Sequence, residues 1–157
     1  MNNYRNNHTT LKNIGSTLLA EGKTIRIKAH GYSMYPSIKP GSLILIEPIN
    51  LKGVPVPGEI IAIHRENGIV VHRLVKTILK NGITSFIARG DSNAYADNPV
   101  LMDKIAGRIV GAEITGENPV RADIKINTKP KYFYNRIRVI MLHIRNKIRK
   151  TAKATQL

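Results

Sequence analysis

The chain has no cysteine, no tryptophan and only ten acidic residues among 157. Without cysteine there are no disulfides, no thiolate nucleophile and no cysteine-based metal site, although compartment is left open. No stretch reaches the roughly 18 to 20 consecutive apolar residues that a membrane-spanning helix needs. The start, Met-Asn-Asn-Tyr-Arg-Asn-Asn-His, is polar and lacks the apolar core of a secretory signal. These absences point to the cytoplasm, with peripheral attachment to a membrane still open. There is no internal repeat.

What is abundant is positive charge, and it is uneven. Lys and Arg number 25, for a formal net charge of +15. Residues 23 to 117 hold 12 basic and 8 acidic residues, so that stretch is nearly balanced. Residues 118 to 157 hold 11 basic residues and one acidic residue. A length of 157 residues suits one domain with an appendage. The division expected is a polar N-terminus and short helix over 1–22, a body over 23–117, and a connector with a basic helix over 118–157.

Hydropathy patterning fills in that outline. Leu11, Ile14, Leu18 and Leu19 recur at one-face spacing and predict a helix over 9–21, capped by Thr9 or Thr10 and stopped by Gly22. Residues 23 to 29 alternate as a strand, with Ile25 and Ile27 inward. Residues 42 to 47 are nearly continuously apolar, which predicts a strand buried on both faces. Further strands are expected over 59–64, 69–79, 83–89 and 104–115. Glu66-Asn67-Gly68 and Lys80-Asn81-Gly82 mark hairpin turns, and Gly107 and Gly111 permit a bend or bulge in the last strand. Strands at this spacing predict a mainly β fold, a coiled antiparallel sheet or partly open barrel. Over residues 131 to 150, Phe133, Ile137, Ile140, Met141, Ile144 and Ile148 form one helical stripe among seven basic residues and no acidic one. Val139 and Leu142 fall off that stripe.

The stretch with chemical promise is residues 30 to 41, His-Gly-Tyr-Ser-Met-Tyr-Pro-Ser-Ile-Lys-Pro-Gly. Ser33 stands where a strand meets a turn, a position that projects a hydroxyl out of a sheet. Ser37 reads as an ordinary turn residue. A serine hydroxyl becomes a nucleophile only when a base takes its proton, and the base needs an orienting partner. Five histidines are available: His8, His30, His64, His72 and His143. His72 lies mid-strand, where an imidazole is rigidly placed. Carboxylates gather in the loop Gly90 to Pro99, which contains Asp91 and Asp97. That oxygen-rich loop lacks the closing glutamate of a calcium-binding EF-hand, and Asp and Asn are also common in plain turns.

Four stretches in order resemble the signal peptidase I superfamily, which includes the LexA-like self-cleaving repressors. Gly31-Tyr32-Ser33-Met34-Tyr35-Pro36, with Pro40-Gly41-Ser42 behind it, is similar to the nucleophile box and its following turn. Pro57-Gly58-Glu59-Ile60-Ile61 looks like the Gly-Asp-Ile-Val strand start. Val71-His72-Arg73-Leu74 resembles the box that carries the base. Gly90-Asp91-Ser92-Asn93, with Asp97 downstream, resembles the closing Gly-Asp-x-Asn box. The resemblance covers roughly residues 23 to 115. A histidine followed by arginine in the third box is similar to the endoplasmic-reticulum and archaeal branch, whereas other branches use lysine there.

The resemblance implies a LexA/signal peptidase-type β fold and a serine-type endopeptidase acting through an acyl-enzyme. It makes Ser33 the nucleophile, His72 the general base and Asp97 the orienter of the imidazole. Asp91 is either structural or shares that role. Lys76 is the competing base, four residues outside the motif position. The Ser33 backbone N–H is the first oxyanion donor. The second is open, because Gly31 stands where many relatives carry a hydroxyl residue. Ser42 and Glu59 replace frequent Asp residues at turn positions. No cofactor and no metal is called for. The implied partner is a peptide or precursor protein carrying a leader or signal-like segment, held extended beside the Ser33 strand with small side chains near the cut.

Relatives of the signal peptidase type are anchored by an N-terminal membrane helix, and no such helix is expected here. The basic stripe over 131–150 fits an anionic membrane surface, packing on the body, or docking on a second copy. Non-specific binding to nucleic acid is a further option. A sequence-specific repressor is disfavoured, because residues 1 to 22 are too short for a helix-turn-helix module. Two non-enzymatic readings remain: a protease-derived fold kept as a binding module, and a surface binder acting through its basic C-terminal segment.

Overall fold

The computed structural model describes residues 14–51, 53–66, 68–113, 136–141 and 144. The expected boundary near residue 117, the helix start at Thr9 or Thr10, and Phe133, Leu142, His143 and Ile148 lie outside the described residues, as does His8.

Residues 14–20 are helical (α1). The helix ends where the sequence places its stop. Gly22 adopts φ +80°, Gly22 N–H donates to Leu19 O at 3.1 Å and Lys23 N–H to Leu18 O at 2.9 Å. This pair of bonds satisfies helix-end carbonyls, and a left-handed glycine permits it. Leu19 faces the core.

Among the described residues six strands follow: β1 (Ile25–Lys28), β2 (Leu43–Pro48), β3 (Ile60–Arg65), β4 (Gly68–Lys80), β5 (Ile83–Arg89) and β6 (Ile105–Glu113). They form one antiparallel sheet in the order β1-β2-β6-β3-β4-β5, open at β1 and β5. The mainly β architecture expected from the strand spacing is therefore present. The β3–β4 hairpin closes with Arg65 paired to Gly68, the first residue of β4, and the β4–β5 hairpin closes at its Asn81-Gly82 turn with Lys80 paired to Ile83. Asn81 and Gly82 both take positive φ, 51° and 76°, as a two-residue hairpin of this hand requires.

The last strand, β6, inserts between β2 and β3 and bends to do so. Its register slips against β2 between Leu45 and Ile46, and against β3 between Ala62 and Ile63. Gly107 is the close-approach point: a Cβ there would lie 2.3 Å from Glu47 O.

The sheet is covered on both faces. Ile60 and Ala62 join one cluster with Leu19, Ile25, Met34, Ile38, Ile44, Ile46 and Ile109. Ile61 and Ile63 join another with Leu74, Phe86, Ala88, Val100 and Ile105. Successive side chains on a strand point to opposite faces, so β3 feeds both clusters. Each fully buried Ile is worth about 1.5–3 kcal/mol. The strand buried on both faces is thus β3, not β2 as its apolar run suggested. In β2, Ile44, Ile46 and Pro48 are buried while Leu43, Leu45 and Glu47 are half-buried. The reason is position: β2 lies beside the edge strand β1, and β3 lies deep between β6 and β4.

Candidate active site

Ser33 occupies the turn between β1 and β2. Two buried side chains of the same turn, Met34 and Ile38, hang it from the first cluster. Ile38 N–H bonds Met34 O at 2.9 Å, and Tyr35 N–H bonds Tyr32 O at 3.0 Å. The Tyr35–Pro36 peptide is cis. Ser33 is half-buried, with exposed Tyr32 and Tyr35 beside it. Among the described residues, the Ser33 N–H donates no hydrogen bond. Gly31 has φ +82° and open space at its Cβ position, so no side chain stands there as a second oxyanion donor.

His72 lies in β4 opposite Ile61, and Arg73 opposite Ile60. Those two isoleucines belong to different clusters. Adjacent residues of the third box therefore serve opposite faces of the sheet.

The loop after β5 supplies a carboxylate to each. Asp97 Oδ2 lies 2.6 Å from His72 Nδ1, and Asp97 N–H donates to Ala88 O at 2.8 Å, which pins the loop to β5. His72 is buried; Asp97 is partly open. Arg65 approaches the same carboxylate oxygen at 4.0 Å. Asp91 is engaged elsewhere. Arg73 Nε donates to its Oδ1 at 2.8 Å and Arg73 Nη2 to its Oδ2 at 2.7 Å. Ser37 Oγ also donates to Oδ2, and Arg73 Nη1 donates to Gly58 O at 2.8 Å. Of the two candidate carboxylates, Asp97 meets the imidazole and Asp91 is the clamp partner of Arg73.

The same loop also grips the serine turn. Ser92 N–H donates to Ser33 O at 2.9 Å, and Ser92 Oγ to Ser33 O at 3.0 Å and Tyr32 O at 2.6 Å. Gly90 packs so closely that a Cβ there would fall 2.7 Å from Ser33 O. One loop, residues 90–97, thus joins the serine backbone to the imidazole. Among the described residues, no hydrogen bond links Ser33 Oγ to the ring. Such bonds are often long in substrate-free sites.

The other candidates separate from this group. Lys76 is exposed and lies beyond a register slip between Leu74 and Lys76. His30 is exposed, and His64 is half-buried at the end of β3. Glu59 has a turn role: its Oε2 accepts from Val56 N–H at 2.9 Å and its Oε1 from Arg108 Nη1 at 3.2 Å. Ser42 is buried in the same structural way, its carbonyl accepting from Ala29 N–H at 2.7 Å.

Sequence reasoning gave no role to Arg73, Ser37 or Ser92. Arg73 was visible as the second letter of the His-Arg pair, and a buried strand arginine demands an acidic partner. Ser37 and Ser92 carried no signal beyond being turn residues. Arg136, whose Nη1 and Nη2 donate to Asn93 O and Ala94 O, was likewise not separable from the other basic residues of the tail.

A family model described as Peptidase S24-like matches residues 2–111 of the chain. That span includes Ser33, His72, Asp91 and Asp97. No curated protein matches the chain.

Proposed function

Since the chain belongs to the Peptidase S24-like family, we propose that it is a serine endopeptidase of the LexA/signal peptidase superfamily, using Ser33, His72 and Asp97. The observation that carries the reading is the Asp97–His72 pair at 2.6 Å, built by the same loop that holds the Ser33 carbonyl. Asp97 accepts from Nδ1–H, which leaves Nε2 as the basic nitrogen. Nε2 takes the Ser33 hydroxyl proton as Oγ attacks a peptide carbonyl. The negative charge that develops on the carbonyl oxygen meets the Ser33 N–H. The imidazolium then protonates the leaving amine, and water hydrolyses the ester through the same base.

The His-Arg pair resembles the third box of the endoplasmic-reticulum and archaeal branch, and the substrate proposed on that resemblance is a leader or signal-like segment bound extended. The position of β1 supports that mode. It leads into the Ser33 turn and pairs only with β2 among the described strands, so its outer edge is open to strand addition. Incubation with peptide libraries and small precursor proteins, read by mass spectrometry, tests the proposal. Wild type cleaves. Ser33→Ala and His72→Ala each lose roughly 10³-fold or more. Unchanged cleavage in either variant removes that residue from the mechanism.

A second reading is a non-catalytic binding module, favoured by the missing Ser33–His72 hydrogen bond. It predicts peptide binding without cleavage, equal in wild type and Ser33→Ala. Self-cleavage, the habit of the repressor-like relatives, is distinguished by a rate independent of protein concentration.

A further inference from the structure

We infer that the C-terminal helix is a docking surface for an anionic lipid bilayer. Residues 136–141 and 144 are helical (α2). One side of α2 faces the body, where Arg136 and Val139 are half-buried and Arg136 donates to the Asn93 and Ala94 carbonyls. The other side carries Ile137, Ile140, Met141 and Ile144, spaced i, i+3, i+4 and i+7. These four are 42 to 65% exposed. An apolar stripe of that spacing ordinarily faces a core; here it faces outward.

The charge around it selects the occupant. Residues 131 to 150 hold seven Lys or Arg and no acidic residue. A second copy docked on the same face would set two such segments against each other, and like charges at an interface oppose association. Nucleic acid would satisfy the cations but leave four apolar side chains in water. An anionic bilayer satisfies both: apolar side chains enter the headgroup–acyl boundary while Lys and Arg meet lipid phosphates. Tyr95, strongly exposed and next to the Ala94 carbonyl that Arg136 holds, adds an aromatic side chain of the kind enriched at that depth. The helix is thereby fixed beside the loop that carries Asp97.

Co-sedimentation of the full chain with vesicles tests this. The protein binds phosphatidylcholine–phosphatidylglycerol vesicles and not phosphatidylcholine alone. Combining Ile140→Glu with Met141→Glu lowers binding by at least roughly tenfold, while circular dichroism stays unchanged because both side chains are exposed. Ser33→Ala binds like wild type, so the result stands apart from any proteolytic activity. Three outcomes overturn the inference: equal binding to both vesicle types, wild-type binding by the double variant, or a dimer in light scattering that the double variant splits.

Discussion

Arg73 grips Asp91 with two parallel hydrogen bonds, at 2.8 and 2.7 Å, on the opposite face of the strand from His72. Both side chains are buried, at 8% and 1% exposure. Removing one member strands the other charge away from water. Arg73→Ala therefore costs about 3–5 kcal/mol, measured as a loss in urea unfolding. Arg73→Lys also destabilises, because an ammonium cannot reproduce the planar fork. A wild-type unfolding midpoint for Arg73→Ala would contradict the clamp.

The two aspartates of one loop separate by what they lose. Asp97→Asn keeps the shape but replaces an acceptor-only carboxylate with an amide whose NH2 can donate to Nδ1, so the imidazole tautomer is no longer held. Its kcat falls by roughly 10³–10⁴-fold, with a nearly unchanged melting temperature. Asp91→Asn shows the reverse balance, with a clear fall in melting temperature. Thermal melts and steady-state kinetics on the pair read both quantities. Equal losses in both would merge the roles assigned to them.

Much of this layout was legible beforehand, for physical reasons that differ by element. The turn residues around 66–68 and 80–82 and the alternation in β1 are local signals, and they place the hairpins and the inward face of Ile25 correctly. Strand order is not local. Nothing in residues 105–113 says that they lie between β2 and β3, so the doubly buried strand was assigned to the wrong apolar run. Asp91 and Asp97 sit in one polar loop with the same chemistry. Only strand parity, which sends His72 and Arg73 to opposite faces, tells which carboxylate meets which partner. The stripe of α2 was visible as periodicity, but periodicity does not say whether a stripe is covered.

Gly90 and Gly111 provide a contrast in space. A methyl at Gly90 would meet Ser33 O at 2.7 Å and the Asn93 side chain at 2.9 Å. Gly90→Ala therefore pushes the serine turn away and lowers kcat/KM by at least roughly tenfold. At Gly111 the nearest atom is Leu45 Cβ at 3.8 Å, an ordinary contact. Gly111→Ala keeps activity and changes stability by within about 0.5 kcal/mol. Peptide-cleavage kinetics on the two variants decide the matter, and a fully active Gly90→Ala would contradict the packing argument.

Arg136 acts as a positioning residue for the loop. It holds two carbonyls, Asn93 O and Ala94 O, four and three residues before Asp97. Arg136→Ala lowers kcat by roughly tenfold with KM little changed, since the loop it holds carries Asp97 rather than the β1 edge proposed to bind peptide. A raised KM with unaltered kcat would assign Arg136 to substrate binding instead.

In the proposed mechanism Ser33 and His72 act as one unit in peptide-bond cleavage. The most direct measurement of this is a double-variant comparison of kcat on a cleaved peptide. Ser33→Ala, His72→Ala and the combined variant are expected to lose the same activity, because removing either member already abolishes proton-coupled attack. Residual cleavage in Ser33→Ala that His72→Ala lowers further, so that the two losses multiply, would show that the two residues act independently.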